Sequence, residues 1–298
     1  MRYYSLNEYY KQKYGKKVYR LAISGGMTCP NRDGTIGERG CIFCSAGGSG
    51  EFASSAALSV SEQLEDAKRR VRSKTRENLY IAYFQPFTNT YAPVERLRTL
   101  YEAAISHDDV VGLAIGTRPD CLPPEVIALL RQINHKKPVT VELGLQTIHE
   151  STAVYIRRGY PLSVYDEAVQ ALHEAGIEVI THVILGLPGE TREMMLETAA
   201  YVGRVTDGIK LQLLHVLEGT DLADDYRRGL FRTMTLEEYA QVLCSCIRIL
   251  PKNTVICRLT GDGDKKSLIA PQWSADKKRV LNYINKMLTD NNIQQGEQ

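Results

Sequence analysis

The stretch "VTVELGLQTIHESTAVYIRRGYPLSVYDEAVQALHEAGIEVITHVILGLPGE", residues 139–190, decides the fold. Its ends, "VTVELGLQT" (139–147) and "IEVITHVILGLP" (177–188), are near-continuous apolar runs, as expected of strands covered on both faces. Between them lie helical patterns at 149–157 and 163–175, the second stopped by Gly176. Strand, helix and strand in that order predict a parallel βαβ unit.

The same alternation continues in both directions. Strands are predicted at "KVYRLAIS" (17–24), "NLYIAYFQ" (78–85), "VVGLAIGT" (110–117) and "GIKLQLLHVL" (208–217), with a further one at "TVICRLTG" (254–261). Ser59 and Glu62 form a capping-box pattern before Leu64, Ala67 and Val71 at helical spacing. Further helices are predicted at 93–106, 123–134 ("PPEVIALLRQIN"), 190–205, from Thr235 to about Leu250, and at 276–290. About six β/α units predict an α/β fold, an open partial (β/α)6 barrel rather than an eightfold one. The expected organisation is a basic, Tyr-rich N-terminal arm (1–20), a core barrel (21–250) and a C-terminal extension (251–298) packed on it.

Composition bounds the setting. Of 298 residues, 43% are hydrophobic, enough for a buried core, and the formal charge is only +2. Affinity for nucleic acid would therefore need local basic clusters. No apolar run is long enough to span a bilayer, and the N-terminus lacks the apolar region of a signal peptide. A cytoplasmic protein without membrane association is expected. There thiols stay reduced, and a C-x-x-C pair points to metal or redox chemistry rather than a structural bridge.

In parallel α/β folds, ligands gather at the C-terminal ends of the strands. The glycine-rich loop after the first strand carries Cys29, Cys41 and Cys44 in "GGMTCPNRDGTIGERGCIFCSAGGSG" (25–50). "QPFTNTY", "TRPD", "GLQT" and "GLPGE" end the next four strands, and His215 falls near the end of the sixth. Three readings of the thiols compete. A structural zinc site needs four ligands, and Cys121, Cys244, Cys246 and Cys257 are far off in sequence. A redox pair would use Cys41 and Cys44 and leave Cys29 idle. A [4Fe–4S] cluster held by three thiolates would keep one iron open to a further ligand. Gly25, Gly26, Gly34, Gly37 and Gly40 would let the loop bend round such a cube, Pro30 would stiffen it, and Phe43 could screen it from water.

The motifs "CPNRDGT…GCIFC", "TRPD" (117–120), "ELGLQT" (142–147), "RRGY" (157–160), "HVILGLPGET" (182–191) and "RLTGDG" (258–263) occur in this order along the chain. Together they resemble the YhcC/YtqA group of radical S-adenosylmethionine (SAM) enzymes. That group is related to the radical SAM half of the Elongator catalytic subunit and, more distantly, to oxygen-independent coproporphyrinogen oxidase. The resemblance covers nearly the whole chain. The C-x11-C-x2-C spacing is wider than the C-x3-C-x2-C common among radical SAM enzymes.

The resemblance implies a partial (β/α)6 barrel, a [4Fe–4S] cluster on Cys29, Cys41 and Cys44, and SAM on the fourth iron. It also implies a low-potential electron donor, reductive cleavage of SAM and hydrogen abstraction from substrate. By the same likeness, Gly186 and Pro188 belong to a fifth-strand motif whose backbone lies against adenine. Gln146 and Arg158 match positions that hold the ribose and carboxylate of SAM. "QPFTNT" stands where other radical SAM proteins have Gly-Gly-Glu, which puts Gln85 and Thr88 near the SAM amino group. Glu142 shares a strand face with Gln146, so it is a buried acid in need of a partner if that face is inward. His182, Lys210 and His215 on strands read first as packed interior residues, and Cys244 and Cys246 as helix packing.

Residues 1–20 place Arg2, Lys11, Lys13, Lys16, Lys17 and Arg20 among Tyr3, Tyr4, Tyr9, Tyr10, Tyr14 and Tyr19. Such an arm can meet phosphates and stack bases, or it can pack its rings against the barrel. The Elongator relationship favours tRNA as partner and maturation of the wobble-uridine C5 side chain as the activity. The sequence ends at Gln298 without the length of Elongator's acetyltransferase domain, so acetyl transfer is not expected. The other readings are a radical SAM enzyme on a small molecule and a non-catalytic Fe–S or zinc RNA-binding scaffold.

Overall fold

The computed structural model describes residues 2–48, 53–74, 77–261 and 265–297. Ser49 and Gly50 of the cysteine loop, and Asp262 and Gly263 of "RLTGDG", lie outside the described residues. The chain begins with helix α1 (Leu6–Tyr14). Strand β1 (Tyr19–Ile23) and helix α2 (Val60–Val71) follow, then β2 (Tyr80–Phe84) and α3 (Val94–Ile105), β3 (Val110–Thr117) and α4 (Pro124–Lys136). β4 (Val139–Gln146) leads into the short α5 (Glu150–Tyr155) and α6 (Leu162–Glu174), then β5 (Glu178–Leu185), α7 (Arg192–Val205) and β6 (Gly208–Leu213). A two-residue strand β7 (Val216–Leu217), helices α8 (Asp221–Arg227) and α9 (Leu236–Ile249), β8 (Val255–Arg258), β9 (Leu268–Ala270) and α10 (Lys277–Asp290) complete the order.

Local chemistry sets the ends of these elements. The Ser59 hydroxyl accepts from the Glu62 amide, and the Glu62 carboxylate accepts from the Ser59 amide at 2.8 Å, so the expected capping box starts α2. Thr235 and Glu238 do the same for α9. All five residues of β2 are buried, as a strand covered on both faces requires.

Seven parallel strands form one sheet in the order β1-β2-β3-β4-β5-β6-β8. The sheet curls. On a flat sheet, three strand spacings of about 4.8 Å would put β1 and β4 roughly 14 Å apart, yet Arg20 on β1 bonds Glu142 on β4 across the concave face. Helices cover the convex face, where Leu64, Leu97, Tyr101, Leu129, Tyr165 and Leu243 are buried in one continuous core.

Three expectations need correction. The segment after residue 251 is not only an outer extension, because its β8 pairs with β6 as the seventh strand of the barrel. It is four residues long, too short for its apolar pattern to fix a place in the sheet. The sixth strand stops at Leu213, and Val216–Leu217 turn away to pair antiparallel with β9. The arm is not a free strip of stacking rings. Tyr10 is 5% exposed and packs with Val18, Ile81 and Tyr83, while Tyr9 and Lys13 both reach Glu178 at the start of β5. α1 therefore seals the N-terminal end of the barrel, because Tyr10 is buried there with Tyr9 and Tyr14 partly buried beside it. Lys11 on α1, and Lys16 and Lys17 just after it, are exposed at the end where β1 begins. Among the described residues no helix is long and apolar enough to cross a membrane.

Candidate functional site

The loop after β1 is held by its own backbone. The Arg32 amide donates to Cys29 O at 2.8 Å, Gly40 N to Asn31 O at 2.6 Å, and Cys44 N to Cys41 O at 3.0 Å. Arg32 bonds the carbonyls of Cys44 and Ser45 at 2.9 and 2.6 Å and clasps the two ends of the loop together. Gly40 has a left-handed φ of 75°, and a Cβ there would stand 2.9 Å from the Arg32 Nε, so this position needs glycine.

None of Cys29, Cys41 and Cys44 is in a disulfide, and all three line one cavity. Asn31 donates to the Cys41 sulfur at 3.5 Å and to Arg157 O at 2.6 Å. Burial, and then the neighbouring Cys44, push the Cys41 thiol up to about 11, with Arg118 and Asn31 acting the other way. Among the described residues no three Cys, His, Asp or Glu side chains converge closely enough to hold one metal ion. The irons of a cube take one thiolate each, so three thiols lining one cavity are a donor set that such a cluster can use. Cys244 and Cys246 are buried in the helix packing, and Cys121 is buried beside Asp120 and Arg118.

The cavity runs from this loop into the barrel. Gln85, Phe87 and Thr88 after β2, Arg118 after β3, Gln146 on β4 and His215 after β6 line it with Phe43 of the loop. Gln146 has a left-handed φ of 72°, and its Oε1 is buried with no hydrogen-bond partner. Phe87 (φ 60°) and Arg157 (φ 57°) carry the same backbone strain at this end of the barrel. Strain of this kind costs about 1–3 kcal/mol per residue and persists where the surroundings enforce it.

Other expected residues fall differently. Arg158 is 2% exposed and its guanidinium is committed: Nε to Tyr160 O at 2.9 Å, Nη1 to Thr147 O at 2.6 Å and Nη2 to Glu150 at 2.9 Å. It borders the cavity but clasps the turn after β4, and is not poised as a free receptor for a carboxylate. Gly186 (φ 88°) and Pro188 form the turn after β5 and do not line the cavity; Ile184 of the same strand does. Glu142 lines the same cavity, but four side chains surround its carboxylate. Oε2 accepts from Tyr83 at 2.5 Å, from His182 Nε2 at 2.9 Å and from Lys210, and Oε1 accepts from Arg20.

Tyr83, Arg118, Tyr160, Gln212 and Arg258 also face the cavity, and sequence reasoning did not single them out. Arg118 is 8% exposed, bonds Asp120 at 2.9 and 2.7 Å and sits 5.2 Å above the Tyr160 ring. Burial works against its charge, but Asp120, Cys29 and Cys41 together hold its pKa up. The "TRPD" motif at the end of β3 was the available signal for it.

The Radical SAM superfamily profile matches residues 32–202, and a Radical SAM C-terminal domain profile matches residues 206–290. This chain belongs to the radical SAM superfamily. It is 45% identical to the Bacillus subtilis protein YtqA over 99% of this chain and 92% of that protein. It is 37% identical to Escherichia coli protein YhcC over 95% of this chain and 91% of that one. A tRNA uridine(34) acetyltransferase of Methanocaldococcus infernus is 30% identical over 51% of this chain and 29% of its own length. Among solved structures, archaeal Elp3 from Methanocaldococcus infernus superposes with a TM-score of 0.71 at 18% identity, covering 93% of this chain and 64% of that one. Methylornithine synthase (PylB) gives 0.55 at 14% identity, covering 94% and 85%. These two likenesses establish the shared half-barrel fold.

Proposed function

We propose that this protein is a tRNA-modifying radical SAM enzyme that matures the C5 side chain of wobble uridine. The observation that carries the radical SAM part is the placement of the Cys29, Cys41 and Cys44 thiols at the same cavity as a strained Gln146 with an unpartnered buried oxygen. In this reading Cys29, Cys41 and Cys44 hold a [4Fe–4S] cluster. When bound, cluster and SAM supply a low-potential electron, delivered by an external donor, and a 5′-deoxyadenosyl radical that takes hydrogen from substrate. Gln146 receives a SAM hydroxyl or amine through its open acceptor, and Gln85 and Thr88 hold the amino-acid end. Arg118 and Arg158 both line this cavity, each already paired with a carboxylate, Asp120 and Glu150. Phe43 and Phe87 narrow the mouth against water.

The tRNA assignment is supported by the kinship with tRNA uridine(34) acetyltransferases and by the Elp3-like fold. The test is mass spectrometry of tRNA nucleosides from a strain lacking the gene. A wobble-uridine derivative should accumulate as a precursor and its product should disappear. An unchanged nucleoside profile would exclude tRNA and leave a small-molecule substrate.

A further inference from the structure

The inner half of the cavity holds a cluster of ionisable groups that binding of cluster and SAM does not use. Tyr83 (β2), Glu142 (β4), His182 (β5), Lys210 (β6) and Arg258 (β8) all line it. Three proton-bearing groups meet on one atom, Glu142 Oε2: the Tyr83 hydroxyl, His182 Nε2 and Lys210 Nζ. Lys210 also donates to the Tyr83 hydroxyl at 3.1 Å and lies 4.8 Å from the centre of its ring. The Lys210 side chain is 4% exposed and that of Glu142 0%. Arg20 from β1 already pairs with the other Glu142 oxygen, so the single carboxylate does not require a second cation. Arg258 of β8 lines the same cavity.

We propose that Lys210 is the proton donor of this active site, giving a proton to a basic nitrogen or oxygen of the substrate beside the carbon that loses hydrogen. The inference rests on the radical SAM reading above. In the step, one Nζ–H bond breaks and its electron pair stays on nitrogen as a free amine. A new N–H or O–H bond forms on the substrate's lone pair. No electron is gained or lost, and water re-protonates the amine.

The neighbours select Lys210 for this role. Arg20 and Arg258 cannot release a proton at ordinary pH. Burial, then Lys210, push His182 down to about 4, so at neutral pH it is an uncharged donor to Glu142. Burial and Glu142 push the Tyr83 hydroxyl well up. Burial pushes up the nearby Cys257 thiol on β8 to about 12. Burial pulls Lys210 down to about 8, with Glu142 opposing and Arg20 and Arg258 adding to the fall. Near physiological pH it is therefore charged, yet a stronger acid than a surface lysine, as a donor should be.

Two arms test this. The first uses anaerobically reconstituted enzyme with SAM, dithionite and tRNA from a strain lacking the gene. Turnover on tRNA should fall as pH rises past about 8. Lys210→Met and Lys210→Arg should both lose it by roughly a hundredfold or more, with iron content kept at the wild-type value. Arginine keeps the positive charge but cannot give up a proton. Wild-type turnover in Lys210→Arg would therefore overturn the proposal and leave Lys210 as a counter-ion. The second arm is trace acetylation of the cluster-free protein with acetic anhydride across pH, read by peptide mass spectrometry. Lys210 should react with a midpoint near 8, against about 10.4 for surface lysines. An unreactive Lys210, or one titrating with the surface set, overturns the proposal whatever the first arm gives. If wild-type protein forms no 5′-deoxyadenosine, the radical SAM reading has failed instead, and the acetylation arm still decides whether Lys210 titrates as claimed.

Discussion

Two kinds of residue matter most at this cavity: the three loop thiols, which in the proposed reading hold the cluster, and polar groups that carry buried charge. Replacing Cys29, Cys41 or Cys44 with Ala should abolish the iron content that wild type holds after anaerobic reconstitution, about four irons per chain. Cys121→Ala and Cys257→Ala should keep it, since neither belongs to the loop. Gln146→Ala should weaken SAM binding roughly tenfold, the loss expected for one hydrogen bond to a buried acceptor. Equilibrium dialysis with SAM on reconstituted protein reads this, and unchanged affinity would remove Gln146 from the site. Glu142 has a consequence for stability. Burial alone would raise its pKa, but Lys210 and Arg20 outweigh burial and hold it well below the ordinary carboxyl range. A depressed acid stabilises the fold fully above its unfolded pKa, near 4.3, and that contribution is lost as pH falls through the folded value. Glu142→Gln should cost about 3–5 kcal/mol at pH 7 by leaving buried cations unpaired. It should also flatten the acid limb of stability against pH in urea titrations.

At the scale of elements, α1 is a floor to the barrel. Tyr10→Ala should remove about 3 kcal/mol of stability by opening a cavity under β2, read as a lower urea midpoint. An unchanged midpoint would mean that the helix merely rests on the barrel. The alternation of strands and helices was legible because each strand is a run of apolar residues and each helix shows its period, as the match at Val110–Thr117 illustrates. α1 was not legible. Its Tyr and Lys residues look polar and adhesive in sequence, and only the curl of the sheet creates a hole for the rings. The same curl brings Arg20, Tyr83, Glu142 and Lys210 together from four separate strands, and no local pattern encodes that meeting. The three cysteines stand in one loop of the sequence, and the structure brings all three to one cavity. The commitment of Arg158 to Thr147 and Tyr160 was not, because it depends on the path of the loop after β4.

For the molecule as a whole, one open barrel separates three tasks along its axis. Helix α1 closes the N-terminal end of the strands, the charged cluster around Glu142 occupies the interior, and the cysteine loop crowns the C-terminal end. In the proposed reading this arrangement keeps the reactive centre on the face built from strand-end loops and leaves the inner cavity for substrate. The most direct measurement is formation of 5′-deoxyadenosine by anaerobically reconstituted protein given SAM and dithionite, beside Cys29→Ala treated identically. Wild type should accumulate 5′-deoxyadenosine and methionine in equal amounts, and the variant should form neither. A wild-type protein carrying its full iron complement and cleaving no SAM would contradict the assignment of this cavity to radical SAM chemistry.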